Sequence, residues 1–312
     1  MAQEVGKNAA VPKAPRIVRA VAELRSLADG ERAAKRRIAL VPTMGALHAG
    51  HLALVRAARA RADRVWVSIF VNPTQFGPNE DFARYPRPFD QDVALCAEAG
   101  VDLVFAPSAE EMYPPGAQTT VEVRELAKPL CGASRPTHFQ GVATVVSKLF
   151  AAAKPHVAVF GEKDFQQLAL VRRLVRDLLL DVEIVGVGIV RERDGLALSS
   201  RNALLALDAR PDALCLVRAL DAAEAAVAGG EDAADELLRI VRCVFLEAPR
   251  AELEYAELRD PGTLEAAPQR LCGPTLLALA ARLPSVSGGP TARVRLIDNR
   301  VLHPKPGLEE RP

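Results

Sequence analysis

Two histidines, His48 and His51, share the run Pro42-Thr-Met-Gly-Ala-Leu-His-Ala-Gly-His51. At that spacing two imidazoles project from one side of a helical first turn, where both can donate hydrogen bonds to an anion. The flanking residues supply the rest of an anion site. Ile38 to Val41 is a short apolar run of the kind a buried parallel strand shows. Pro42 and Gly45 turn the chain, and Gly50 allows close backbone approach at the start of a helix over Leu52 to Ala58. A helix N-terminus presents unpaired N–H groups and partial positive charge, which suits a phosphate.

Three further blocks carry polar chemistry. Val65 to Val71 reads as a buried strand ending in Asn72-Pro-Thr-Gln-Phe-Gly-Pro78. Asn72 and Gln75 then lie beyond a strand's carboxyl end, where amides can hold a small polar substrate or merely shape the turn. A strand over Val157 to Phe160 leads into Gly161-Glu-Lys-Asp-Phe-Gln-Gln-Leu168. Gly161 permits close approach, Lys163 is a mobile cation for phosphate, and Lys163 and Gln167 are one turn apart. Asp164 can accept from ribose hydroxyls or stand near a metal ion. The third block is Arg191-Glu-Arg-Asp-Gly-Leu-Ala-Leu-Ser-Ser-Arg-Asn202. Ser199, Ser200 and Arg201 offer two hydroxyls and a guanidinium fork to phosphate oxygens, on a loop able to close over a nucleotide. Arg135 and His138 suit either a cleft or a helix entrance capped by Thr137.

The elements that must position these groups alternate strand and helix, which predicts parallel βαβ units. Helix Asp90 to Gly100, capped by Asp90, precedes strand Val101 to Ala106. A short strand is expected over Thr119 to Val123. A helix then carries the stripe Val142, Val145, Val146, Leu149 and Phe150. Another buries Leu168, Val171, Val175 and Leu178 before a strand over Val182 to Val187. Beyond this, Ala/Leu-rich helices at 213–228 and 233–246 precede strands at 253–258, 275–283 and 292–297. Helices followed by clustered strands indicate a smaller α+β domain. We expect a tail at 1–15, disordered, a Rossmann-like α/β domain at 16–189, and the smaller domain at 190–312.

Composition narrows the classes. The 312 residues are 49% hydrophobic with a formal net charge of +1, enough for a core and no sign of a dedicated nucleic-acid surface. No run of eighteen apolar residues or signal-like leader stands out, so no membrane segment is expected. Five dispersed cysteines without Cys-x-x-Cys spacing fit reduced cytoplasmic thiols and no zinc tetrad.

The His-x-Gly-His turn resembles the signature of the nucleotidylyltransferase superfamily. Read together with Phe70-Val-Asn-Pro-Thr-Gln-Phe76, Arg135-Pro-Thr-His-Phe139, Phe160-Gly-Glu-Lys-Asp-Phe-Gln-Gln167, Asp194-Gly-Leu-Ala-Leu-Ser-Ser-Arg-Asn202 and Arg295-Leu-Ile-Asp-Asn299, the chain from Ile38 to Val301 resembles the pantoate–β-alanine ligase family. The resemblance implies a two-step ligation of (R)-pantoate and β-alanine driven by ATP, through pantoyl adenylate. It assigns ATP contacts to Met44, Gly45, Ala46, Leu47, His48, Ala49, Gly50 and His51, to Gly161, Glu162, Lys163 and Asp164, and to Val190, Leu198, Ser199, Ser200 and Arg201. Gln75 and Gln167 would hold pantoate, with Gln75 also near β-alanine. His51, His48, Lys163 and Arg201 would stabilise reacting charge. Mg²⁺ would ride mainly on the triphosphate, and a homodimer is implied. Leu198 stands where Met is common in the family, Thr137 where Gly is frequent, and Cys131 where some members carry Glu. The nearest alternatives are another nucleotidylyltransferase and a nucleotide sensor without catalysis. The amides at 75 and 167 argue against the first, and the intact polar set against the second.

Overall fold

The computed structural model describes residues 14–77, 80, 82–286, 289 and 291–305. Among them, the apolar runs read from the sequence become strands β1 (Arg16–Val18), β2 (Ile38–Thr43), β3 (Arg64–Ile69), β4 (Leu103–Phe105), β5 (Val157–Gly161) and β6 (Glu183–Val187). They form one sheet in the order β1-β4-β3-β2-β5-β6, with every pairing parallel. The alternating sides of β2 explain why the run had to be continuously apolar. Ile38 and Leu40 pack with helices α1 (Val21–Ala33), α4 (His138–Ala153) and α5 (Phe165–Asp177) on one face. Ala39 and Val41 pack with α2 (Ala49–Arg59) and α3 (Phe89–Glu98) on the other. A strand covered on both faces shows no polar alternation.

Strand order places the site. The chain builds β2, β3 and β4 on one side, then returns to add β5 on the opposite side of β2. Ligands in open parallel sheets occupy the crevice beyond the carboxyl ends of the strands at such a reversal. The turns after β2 and β5, carrying His48–His51 and Gly161–Asp164, flank that crevice.

The rest of the chain is the expected α+β part. Helices α6 (Cys215–Gly229) and α7 (Ala234–Leu246) cover an antiparallel sheet of β7 (Glu252–Arg259), β8 (Thr275–Pro284) and β9 (Arg293–Leu302), in that order. An apolar patch joins the two parts: Leu126, Leu130 and Ala169 pack against Leu264, Leu276 and Ala278.

Several local expectations are corrected. Thr119 to Val123 is not a strand; it has no strand partner, and its Val121 N–H instead donates to the Thr144 hydroxyl at 3.0 Å. β-branched alternation signals a half-buried surface, but a strand also needs an edge to pair with. Asp90 lies inside the first turn of α3, and Pro88 is the N-cap. Thr137 caps α4 by position, with no side-chain bond. Leu178 ends α5 at 48% exposure and Val175 is only partly buried; the buried stripe runs through Leu168, Val171 and Leu174, with Gln166, Ala169 and Leu170 buried beside it. Strand β1 and helix α1 were not anticipated; β1 is three residues long, with one buried side chain. Of the tail, residues 1–13 lie outside the described residues.

The α4 N-terminus touches the loop after β3. A Cβ at Gly141 would stand 2.5 Å from the Thr74 carbonyl oxygen and 2.7 Å from Gln75 Cα. We expect Gly141→Ala to destabilise the fold by about 1–3 kcal/mol, as overpacking does. Urea unfolding measures it, and an unchanged midpoint would show that α4 does not brace this loop.

Candidate active site

The turn between β2 and α2 is built around two imidazoles acting as caps. His48 is the N-cap of α2 and its Nδ1 accepts the Gly50 backbone N–H at 3.1 Å. His51 returns the bond: its Nδ1 accepts the backbone N–H of His48 at 3.2 Å. A backbone N–H can only donate, so both Nδ1 atoms are lone-pair acceptors and the ring proton sits on Nε2. The rings stack obliquely, centroids 4.2 Å apart. Burial, then the charge of Lys163, pushes His48 down to about 4. Burial, with His48 and Lys163 adding to it, pushes His51 down to about 3. Both rings are neutral at pH 7, each with one N–H free of the cap bonds.

Glycine is required at two points here. Gly45 has φ +83°, and a Cβ on it would meet the Asp92 carboxylate at 2.9 Å. A Cβ on Gly50 would lie 2.8 Å from the His48 ring. Asp92, 1% exposed on α3, accepts from the N–H groups of Ala46 at 2.9 Å and Leu47 at 2.7 Å, clamping the turn from beneath. Burial raises its pKa against those two bonds.

Across the crevice, the 3₁₀ turn Glu162–Asp164 leaves β5 and carries Lys163. Lys163 makes no ion pair and Asp164 no hydrogen bond among the described residues. The third wall is the segment after β6. Leu198 N–H bonds to the Val190 carbonyl, and Ser199 accepts the Arg201 N–H at 3.2 Å as cap of a 3₁₀ turn. The Ser200 hydroxyl lies 3.2 Å from the Tyr85 hydroxyl, and the Arg201 guanidinium stands 5.8 Å from the Tyr85 ring centroid.

The fourth wall is amide-rich. Gln75 is 7% exposed; its Nε2 donates to Met44 Sδ at 3.0 Å, a weak acceptor that a substrate oxygen can replace. Of the two roles open to it, Asn72 takes the turn-shaping one, its Oδ1 accepting the Thr74 N–H at 3.4 Å. Its Nδ2 donates to Gln75 Oε1 at 3.2 Å and the Gly141 carbonyl at 3.1 Å, while Tyr113 donates to its Oδ1 at 2.8 Å. With both amide hydrogens committed, Asn72 sets Gln75 in place. His138 takes the tautomer opposite to the other pair. Its Nδ1 donates to the Gln75 carbonyl at 2.9 Å, leaving Nε2 as acceptor, and burial and Arg135 push it down to about 4. Arg135 pairs with Glu80; burial works to raise that carboxyl, and the Arg135 bond and charge outweigh it to lower it.

One cavity thus gathers Met44, His48, Gly50 and His51, Asn72 and Gln75, Gly161, Lys163, Asp164 and Gln167, and Val190 with Leu198–Arg201. Gly45, Ala46, Leu47 and Ala49 shape the turn without lining the cavity, and Glu162 also lies off it. Tyr85, Arg135 and His138 do line it. Tyr85 and Asp92 went unnoticed in the sequence. Asp92 had a signal, since it shares the face of α3 that holds Phe89 and Cys96 and is the one acid on that apolar stripe.

A doubly wound parallel sheet whose switch-point cleft collects phosphate-type donors and amides defines a nucleotide-using α/β enzyme. Residues 16–301 match the sequence model described as pantoate-beta-alanine ligase, and the chain belongs to that family. It is 54% identical over 289 residues to the pantothenate synthetase of Syntrophobacter fumaroxidans, covering 93% of this chain and 99% of that one. The Geobacter sulfurreducens pantothenate synthetase is 52% identical over 290 residues, covering 92% and 98%. Among solved structures, the Thermus thermophilus pantothenate synthetase matches with TM-score 0.84 and 48% identity, over 93% of this chain and all of that one. The Francisella tularensis pantoate-beta-alanine ligase, complexed with beta-gamma ATP and beta-alanine, matches with TM-score 0.72 and 34% identity, over 92% and 98%.

The tautomers give a direct check. We expect ¹⁵N NMR of the imidazoles to show His48 and His51 neutral and Nε2-protonated from pH 6 to 8; a doubly protonated ring at pH 7 would overturn the assignment. The same shifts set a stability trend. His48, His51 and His138 have folded pKa values below their ordinary 6.5, so the unfolded chain binds more protons below that pH. Stability is therefore lost as pH falls from about 6.5 toward 4, by up to about 1.4 kcal/mol per pH unit for each ring. Urea unfolding at pH 7 and 5 should show this loss, and a smaller one in His51→Gln.

Proposed function

We propose that the chain condenses (R)-pantoate with β-alanine, using ATP and releasing AMP and pyrophosphate through pantoyl adenylate. Membership of the ligase family supports this reading. The observation that carries it is the pair of imidazoles whose Nδ1 atoms are held by backbone N–H groups, lining one cavity with Lys163, which makes no ion pair among the described residues. In the first step a pantoate carboxylate oxygen bonds to the α-phosphorus while the bond to the β-phosphate oxygen breaks. Charge gathers on the departing pyrophosphate, and His48, His51 and Lys163 lie where donors to it are needed. Because the rings are neutral, they act as hydrogen-bond donors and not as proton-transferring acids. Ser199, Ser200 and Arg201 would hold the remaining phosphate oxygens, and Val190 and Leu198 would pack on the adenine. Gln75 and Gln167 would hold the pantoate, with Asn72 orienting Gln75. In the second step the β-alanine amine bonds to the acyl carbon, sheds a proton, and AMP leaves with the former carboxylate oxygen. Gln75 would stand beside this amine.

The residues fit a magnesium ion carried by the nucleotide. No cluster of three acidic, histidine or cysteine ligands occurs among the described residues. Mg²⁺ favours phosphates, waters and one or two carboxylates. Asp164 is the carboxylate that would meet it, and the ion would offset triphosphate charge. We further propose a cytoplasmic homodimer whose residues 16–189 form the nucleotide and pantoate domain, with 190–312 as the smaller lid domain. No helix among the described residues is long and apolar enough to cross a membrane.

ATP–pyrophosphate exchange tests the chemistry. Exchange should depend on pantoate and proceed without β-alanine, and β-alanine should then release AMP. His51→Ala should lower the exchange rate by roughly 10² or more, the cost of losing one transition-state donor. Pantoate-independent exchange, or undiminished turnover in His51→Ala, would refute the assignment.

A further inference from the structure

Strand β9 belongs to the second part of the molecule, yet two adjacent residues on it reach both walls of the nucleotide crevice. Successive side chains of a strand point to opposite faces. Asn299, 8% exposed, faces the first part: its Nδ2 donates to the carbonyls of Glu162 at 3.0 Å and Lys163 at 2.9 Å. Those carbonyls belong to the turn that carries Lys163. Asp298, on the other face and 2% exposed, takes two bonds from Arg191, at 2.6 and 3.0 Å. Its Oδ1 also accepts the Asn299 backbone N–H at 2.8 Å, which ties the carboxylate to the backbone of its neighbour.

Arg191 is in turn the clasp of the opposite wall. It also donates to the Gly195 carbonyl at 3.0 Å, and it pairs with Ala197 in a small antiparallel bridge. The next bond out, Leu198 N–H to the Val190 carbonyl, sets the segment that runs on into Ser199–Arg201. One strand position thus fixes the Lys163 turn, and its neighbour fixes the serine–arginine wall.

We propose that Asn299 and Asp298 are positioning residues that set the spacing between Lys163 and Ser199–Arg201, and that Asn299 acts on catalysis through Lys163. A buried amide donating to two carbonyls of one turn leaves that turn little freedom to rotate. Without it, the turn is anchored only through the chain on either side, β5 before it and α5 after it, and the ammonium group loses its fixed distance to the reacting phosphate. The bidentate Arg191–Asp298 pair does the same for the other wall, since a planar fork on a carboxylate allows one relative orientation. This inference rests on the ligase reading above.

The test is a double-mutant cycle on pantoate-dependent ATP–pyrophosphate exchange with radiolabelled pyrophosphate. Asn299→Ala should lower exchange turnover by roughly 10²-fold, the cost of misplacing a reacting group by about an ångström. In a Lys163→Ala background the same substitution should change the residual rate by no more than about twofold, because the group it positions is gone. Asn299→Asp keeps the shape but sets an acceptor against two carbonyls, and it should lose at least as much where Lys163 is intact and no more than about twofold in Lys163→Ala. Asn299→Ser, which keeps one donor, carries the test if Asn299→Ala does not fold, with a loss expected only where Lys163 is intact. An equal loss with and without Lys163, or no loss in either, would overturn the proposal. Wild-type exchange separates the two levels: its absence refutes the ligase reading, whereas normal wild-type exchange with additive variants refutes only the positioning role.

Discussion

The bond from the His48 backbone N–H to the His51 ring constrains everything that faces the crevice. It occupies Nδ1 of His51 permanently, as the Gly50 N–H occupies Nδ1 of His48. A ring so held cannot take a second proton without setting two donors against each other. Burial acts in the same direction, since a charged imidazole in this pocket would forfeit its hydration. The cap therefore selects the tautomer, and the tautomer selects the chemistry. Two fixed N–H dipoles can strengthen their bonds as an oxyanion develops, without any proton changing hands.

That constraint propagates outward through sterics. For the His48 ring to fold back onto the start of its own helix, residue 50 must lack a Cβ. For the turn to arrive there from β2, residue 45 must sit in the left-handed region above Asp92 and Ile69. Asp92 is affordable in the core only because both oxygens meet backbone N–H groups. The amide wall follows the same logic. Gly141 lets α4 approach closely enough for its carbonyl to take one Asn72 hydrogen, which leaves the other for Gln75. Each glycine in this chain of contacts is a place where a carboxylate, a ring or a backbone group occupies the space a side chain would need.

How much of this was legible in the sequence depended on whether the determinant was local. Strands β2, β3 and β5 were readable because burial on both faces writes itself as a continuous apolar run. β8 was readable too, although Leu276 to Ala281 favours helix by propensity; a short apolar stretch closed by prolines leaves room only for a strand. The polar site blocks stood out because His, Lys, Ser and Arg beside glycine at strand ends have few structural uses. What escaped was set by distant partners. Thr119–Val123 has strand-like residues but no edge to join, and only the contacts of Gly141 and Tyr113 decide between the ligand and turn-shaping roles open to Asn72. Asp298 and Asn299 belonged to a block that carried the resemblance, but nothing in that block says that strand β9 packs against the turn after β5.

The charge pattern explains why neutral donors suit this cleft. A triphosphate and a carboxylate must come together there, which favours positive charge, yet the empty pocket must also be stable. Arg135 is neutralised by Glu80 and Arg191 by Asp298, so those cations shape walls. Lys163 has no ion-pair partner among the described residues, and its flexible stem lets water solvate it until an anion arrives. Adding two charged imidazoles next to it would set three positive groups against one another in a buried space. Keeping both rings neutral avoids that repulsion in the free protein and retains their donors for the moment when negative charge appears. The low pKa values of His48 and His51 are therefore the electrostatic condition for placing them beside Lys163.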